Sequence, residues 1–216
     1  MISVRLLTSA SLPHPDTLRE LSEALPFGKA EAERRQKLSP HAFRESVGAA
    51  LALSELTARR SYAPPLTVIR TAHGKPKFED GSLPSFNLSH TDGLSAAVLG
   101  DRESGAVGID VQIRKPIRRA DAIVSRFFSR EEQARWKASD RSDEVFFVLW
   151  TQKEAAAKLC GDPLLSETAS LARATAHIRT YRLRVNGTEI YLSIAAEHPI
   201  DQIEILSDKE IEYEAI

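Results

Sequence analysis

The dipeptide Asn186-Gly187, set between TYRLRV and TEIYLSIAAE, constrains this sequence more than any other pair. A two-residue loop needs positive φ at both central positions, which Asn and Gly adopt readily, and it forces the flanking segments into antiparallel register. Thr91-Asp92-Gly93 carries a related signal inside PSFNLSHTDGLSAAVLG in the first half. A helical pattern precedes each hairpin. Ser39-Pro40 offers an N-cap and a first-turn proline for a helix from about His41 to about Arg60, whose Phe43, Val47, Ala50, Leu51 and Ser54 follow helical spacing, with Arg44 on the flank. Ser142-Asp143 opens a second long helix that contains WTQKEAAAK, Trp150 to Lys158. The expectation is an α+β fold with antiparallel sheets, its order of elements occurring twice without a literal repeat. The polar, Gly-bounded stretch Gly100 to Gly105 marks the boundary, giving α+β subdomains over 1–104 and 105–216.

The remaining elements fit between these landmarks. Met1 to Thr8 reads as an edge strand and Thr17 to Leu25 as a short amphipathic helix; LTVIR and GKPKF read as strands and AVGIDVQ as a buried one. The basic loop Arg114-Lys115-Pro116-Ile117-Arg118-Arg119 leads into a helix from about Ala120, Ser129 starts another, and strands return after Gly161-Asp162-Pro163. A net charge of -1 gives no global reason to expect nucleic acid or a membrane surface as partner. The single cysteine, Cys160, allows no intrachain disulfide or thiolate cluster, and no apolar run approaches a membrane span. A cytoplasmic protein is expected.

Four groups could carry chemistry. In Gly108-Ile109-Asp110-Val111-Gln112 the period of a strand puts Asp110 and Gln112 on one face. With Glu154 added from the helix, they make three hard oxygen donors suited to Mg²⁺; a strand-end Asp capping a loop is the structural alternative. Glu154 and Lys158 lie one helical turn apart, and Lys153 precedes them. On a solvated helix such an ion pair is worth about 0.3–0.5 kcal/mol. Phe146 to Trp150 and three alanines make the helix a mostly buried one, where charges need partners or a cleft. Ser129 and Glu132 have the spacing of a capping box, which explains both without catalysis; Glu132 serves as a general base only if it faces the same cleft. Finally, Lys75 in a Gly-Pro turn and Ser89-His90 at a strand end offer phosphate donors. Ser89, His90 and Asp92 are too crowded in sequence for a hydrolase triad.

Taken in order, GKP, FNLSH, VGIDVQ, FFSREE and WTQKEAAAK, from Gly74 to Lys158, resemble the successive signatures of the 4'-phosphopantetheinyl transferases of the Sfp type. A weaker likeness extends to the helix carrying Arg44. The resemblance implies a pseudo-twofold pair of α+β subdomains with coenzyme A between them and a tail, beyond about Asp201, returning to the first half. It implies transfer of the phosphopantetheine arm to a serine of an apo carrier protein by a monomer. By match to the motifs, Asp110 and Glu154, with Gln112, hold Mg²⁺; Lys158 assists at the pyrophosphate; Glu132 is the base; Arg44, Lys75, Ser89, His90, Asp110, Lys153 and Lys158 bind the cofactor substrate. Two departures stand out. Many relatives carry Glu where this chain has Gln112, and a second arginine where it has Leu53-Ser54, leaving Arg34, Arg35 or Lys37 as replacements. Gln112 is the one feature that favours a rival reading, a non-catalytic binding module for coenzyme A or carrier protein.

Overall fold

Strand β1 (Ile2–Thr8) is followed by helices α1 (Pro15–Ala24), α2 (Lys29–Gln36) and α3 (Pro40–Arg59), then the short strands β2 (Val68–Arg70) and β3 (Pro76–Phe78), and the hairpin β4 (Phe86–Thr91) and β5 (Leu94–Leu99). Next come β6 (Val107–Ile113), the helices α4 (Ala120–Phe127), α5 (Arg130–Ala138) and α6 (Asp143–Cys160), and strands β7 (His177–Val185), β8 (Thr188–Ala196), β9 (Ile203–Ser207) and β10 (Ile211–Ala215). The computed structural model describes residues 1–164 and 173–216. A strand expected directly after Pro163 falls on 165–172, outside the described residues.

Both turn signals become hairpins. Asn186 and Gly187 take φ of 49° and 75° between paired Val185 and Thr188, and Asp92-Gly93 connects paired Thr91 and Leu94. The two main sheets have strand orders β4-β5-β1-β9 and β10-β7-β8-β6. In each, the hairpin's second strand pairs antiparallel with the strand that precedes the long helix: β5 with β1, and β8 with β6. That is the doubled order the sequence suggested. The fold is α+β with antiparallel sheets.

Close helix-to-sheet contact depends on small residues. A Cβ on Gly48 of α3 would come 2.5 Å from the Ser95 hydroxyl of β5, and one on Gly108 of β6 would come 2.1 Å from the Ala155 carbonyl of α6. Ala155 and Ala156 are completely buried, so the alanine run is where α6 lies directly on β6. Val4 and Leu6 of the first sheet and Ile109, Leu192 and Ile194 of the second belong to one continuous apolar core. Burial of each such large aliphatic is worth about 1.5–3 kcal/mol. A second cluster fills the space under α3, and an aromatic one joins Phe128, Trp136, Phe146, Phe147 and Tyr191 around α4 to α6.

Between the sheets, β4 and β6 are stitched by side chains. Ser85 Oγ, Asn87 Oδ1 and Ser89 Oγ accept the N–H groups of Val107, Ile109 and Val111 at 3.2, 3.2 and 3.3 Å. Strand period aims alternate residues of β4 at alternate amides of β6, so buried donors that lack a backbone acceptor are satisfied. The C-terminal segment serves both sheets: β9 lies parallel to β1, and β10 antiparallel to β7. Among the described residues no helix is long and apolar enough to cross a membrane.

Candidate active site

Strand alternation brings Asp110 and Gln112 together on β6, and the Gln112 amide donates to Asp110 Oδ2 at 3.2 Å. Asp110 is only 2% exposed. Its other oxygen, Oδ1, accepts from Lys158 Nζ at 2.6 Å and from Ser89 Oγ at 3.1 Å. Ser89 Oγ in turn accepts from Lys158 at 3.0 Å and from the Val111 N–H. One hydroxyl thus donates once and accepts twice, the full capacity of a serine. Ser89 is the pin between the β4–β6 ladder, the strand carboxylate and the helix ammonium.

Glu154 lies on α6 one turn before Lys158. Burial first, and then the negative charge of Asp110, raise its carboxyl above the ordinary value, while Lys158 pulls the other way. The two carboxylates are therefore near enough to influence one another, and the Lys158 ammonium, paired with Asp110, acts on Glu154 as well. Their oxygens, with the Gln112 amide, are hard donors, and the donor set fits a small hard dication that completes its shell with water or phosphate. Among the described residues no three His, Cys, Asp or Glu side chains are grouped to hold a metal ion.

The turn between β2 and β3 supplies Lys75. Its ammonium donates to the carbonyls of Leu159 at 2.6 Å and Val107 at 3.1 Å, so it spans the end of α6 and the start of β6. Burial lowers its pKa to about 8. Gly161 caps α6 at φ 77°, where a Cβ would lie 2.9 Å from Lys75 Cβ. Beside it, His73 pairs with Asp162. A cleft of about 280 Å³ runs between these segments, lined by His73, Lys75, Asn87, Glu154, Lys158 and Asp162.

Lys153 is not in this group. Successive helical residues point about 100° apart, and Lys153, 6% exposed, reaches Glu132 Oε2 at 3.0 Å instead. Glu132 also forms both halves of the capping box with Ser129 and pairs with Arg173 at 2.9 Å. Its carboxylate is held by the cap and two cations.

Arg44 and His90 lie elsewhere too. The Arg44 guanidinium donates to the carbonyls of Ser9, Leu12 and Pro13 at 2.7 to 3.0 Å, fixing the turn after β1. His90 follows Ser89 on an alternating strand and so faces the other way, toward Glu45 of α3. Of the replacements for the missing second arginine, Arg34 and Arg35 are engaged with the buried Glu31, whose carboxylate Arg70 also holds.

Residues 106–209 match the family model described as the 4'-phosphopantetheinyl transferase superfamily. The 4'-phosphopantetheinyl transferase AcpT of Salmonella typhi is 33% identical over 104 residues, covering 47% of this chain and 53% of that protein. The 4'-phosphopantetheinyl transferase psf-1 of Bacillus pumilus is 32% identical over 149 residues, covering 67% and 61%, and ffp of Bacillus subtilis is 34% identical over 94 residues, covering 43% and 40%.

Over residues 106–209 the chain is similar to this transferase superfamily.

The match spans 53% of the length of the Salmonella typhi protein and 61% of the Bacillus pumilus one, less than two thirds of either. Within the superfamily match lie Asp110, Gln112, Glu132, Lys153, Glu154 and Lys158; Arg44, Lys75, Ser89 and His90 precede it. Sequence reasoning missed roles for Asn87, Glu45 and Arg173. The signal for Asn87 was present: small polar residues at 85, 87 and 89 alternate along an otherwise apolar strand. Glu45 stands four residues after His41, a weaker sign, and nothing in sequence points to Arg173.

Proposed function

We propose that this protein transfers the 4'-phosphopantetheine arm of coenzyme A to the serine of an apo acyl, peptidyl or polyketide carrier protein, releasing adenosine 3',5'-bisphosphate. The observation that carries this reading is that Glu154, Lys158 and Lys75 line one cleft, with Lys158 tied behind it to the buried Asp110 and Ser89. Two ammonium groups and a carboxylate lining a cleft suit a polyanionic substrate whose reaction needs positioning and charge neutralisation. Asp110 and Glu154, with Gln112 directly or through water, would hold Mg²⁺, which supplies neutralisation of pyrophosphate charge when bound. Lys158 stabilises the leaving phosphate, and Lys75 holds the cleft wall together.

The carrier hydroxyl attacks the phosphorus that bears the pantetheine arm, its proton passes to a base, and the bond to the leaving bisphosphate breaks. Glu132 is the proposed base, and it acts once substrate charge draws Lys153 or Arg173 away. The carrier surface is the basic loop 114–119 with the apolar residues near Phe127. We read the protein as a cytoplasmic monomer of two subdomains, 1–104 and 105–216, with no nucleic acid or membrane partner.

The test is mass spectrometry of several apo carrier proteins incubated with the protein, coenzyme A and Mg²⁺. A gain of one phosphopantetheine that chelator abolishes is expected. A second reading, a non-catalytic module that binds coenzyme A or carrier, is favoured by Gln112; binding without transfer to any carrier would establish it.

A further inference from the structure

The turn between β2 and β3 is one wall of the cleft, where His73, Gly74 and Lys75 line it. Within itself the turn is closed by three bonds. The Thr71 N–H donates to the Lys75 carbonyl at 2.9 Å, the Gly74 N–H to the Thr71 carbonyl at 2.9 Å, and the Lys75 N–H to Thr71 Oγ1 at 3.1 Å. These set its shape and not its place. Strands β2 and β3 form a two-stranded sheet of their own, an arrangement that is marginal alone and takes its position from what it is tied to. Val68 and Phe78 seat its base in the core under α3, and the turn end needs a separate attachment.

Arg70, the last residue of β2, supplies one. Its Nε and Nη2 donate to Glu31 Oε1 and Oε2 at 2.6 and 3.0 Å, and Nη1 donates to the Gly74 carbonyl at 2.6 Å. A guanidinium is planar, so a fork closed on a carboxylate fixes where the third nitrogen points. Glu31, 6% exposed on α2, is a firm anchor. Burial acts to raise its carboxyl, but Arg70 and then Arg34 hold it below the ordinary value. Arg34 and Arg35 approach the same carboxylate from within α2 and turn other donors to Ser46 and Ser22, whereas Arg70 carries the contact out to the turn.

We infer that Arg70 is a positioning residue: clamped on Glu31, it holds the β2–β3 turn where the cleft must be walled to take coenzyme A. The inference rests on the proposed reading of that cleft. From the turn, Lys75 reaches the carbonyls of Leu159 and Val107, and His73 reaches Asp162, contacts that form only when the turn is correctly placed. With Arg70 present the wall is ordered before the substrate arrives. Without it, the substrate must order the turn itself, and affinity falls. The Lys75 ammonium reports the placement without any ligand, since burial in the seated turn lowers its pKa to about 8 while Cys160 and Glu197 act the other way.

The test is Arg70→Lys, which keeps a positive charge beside Glu31 but cannot hold a carboxylate and a carbonyl in one rigid fork. Carbon NMR of the Lys75 side chain across pH and calorimetric affinity for coenzyme A are the two readouts. In the variant Lys75 should titrate above 8, toward 10.5, and affinity should fall about tenfold. Glu31→Gln, which removes the anchor and leaves the Gly74 contact available, should shift Lys75 in the same direction. Lys75 still titrating near 8 in either folded variant overturns the inference, because Arg70 then serves stability alone; so does a shifted Lys75 with affinity unchanged. If neither variant folds, nitrogen NMR of the wild type decides: slow solvent exchange of the Arg70 Nε–H is expected, and exchange as fast as in free arginine overturns it. A wild-type protein without affinity for coenzyme A sinks the reading of the cleft, which differs from intact affinity that ignores Arg70.

Discussion

Lys158 Nζ donates to Asp110 Oδ1 at 2.6 Å, while Glu154, one turn earlier on the same helix, has its ionised form disfavoured by burial and by that same aspartate. One ammonium thus serves two carboxylates. The strand carboxylate is paired with the ammonium, and the helix carboxylate is the one whose ionised form its surroundings disfavour.

Glu154→Gln tests that condition. In the unfolded chain the carboxyl titrates near 4.5, and in the folded protein it is raised. The folded state therefore holds the proton to higher pH, and stability falls as pH rises from 4.5 through the folded value. At neutral pH and without divalent cation, the variant should melt above the wild type. The difference should vanish below about pH 4, where both states of the wild type are protonated. Added Mg²⁺ should raise the melting temperature of the wild type and not of the variant, and transfer should drop sharply.

Lys158→Met removes the partner of a carboxylate that is 2% exposed. Breaking a buried pair from one side costs about 3 kcal/mol or more. Denaturant unfolding should show that loss, and Asp110→Asn in the same chain should recover part of it. Independent, additive losses would mean the pair is not coupled.

Glu132→Gln separates two roles. The amide keeps the N-cap acceptor, so α5 should survive, but Lys153 and Arg173 lose their carboxylate. On the proposed reading of Glu132 as the base, the acidic limb of the pH–rate profile for carrier modification should disappear. A retained limb returns Glu132 to capping and charge pairing.

Lys75→Met makes a prediction about alkaline pH. Burial lowers the folded pKa from 10.5 to about 8, so between these values the unfolded chain holds the extra proton. Wild-type stability should rise relative to the variant over that interval and stay parallel below it. A constant difference from pH 7 to 10 would contradict the burial of this ammonium.

Much of the fold was legible because its decisive signals are local. Asn186-Gly187 needs no distant partner to specify a hairpin, Ser39-Pro40 caps α3 by itself, and Ser129 with Glu132 closes a box within one turn. Helix α2 carries no broad apolar face, and its buried Glu31 is met by Arg70 from β2, a partner that local spacing does not reveal. For the site, alternation on β6 and the turn of α6 foretold which of its own residues would sit together, and Asp110 with Gln112 and Lys158 do. It could not foretell that Lys153 turns to Glu132, or that Ser89 and His90 separate across β4. Those outcomes depend on which element covers each face, and that is settled by tertiary packing. Arg44 illustrates the same limit: a flank arginine looks identical in sequence whether it awaits a phosphate or holds three carbonyls.

The parallel pairing of β9 with β1 places Ile203 opposite Ile2, at almost the full span of the chain. During synthesis, the first strand cannot acquire this neighbour until nearly everything else has been made, so one side of its ladder stays open while the middle of the protein forms. The cleft between the halves is walled by Lys75 and Asn87 from early segments and by Glu154 and Lys158 from later ones. Neither wall stands without the other, so the cleft takes shape only after the segment carrying Glu154 and Lys158 has joined the one carrying Lys75 and Asn87, while the edge of β1 stays open still longer.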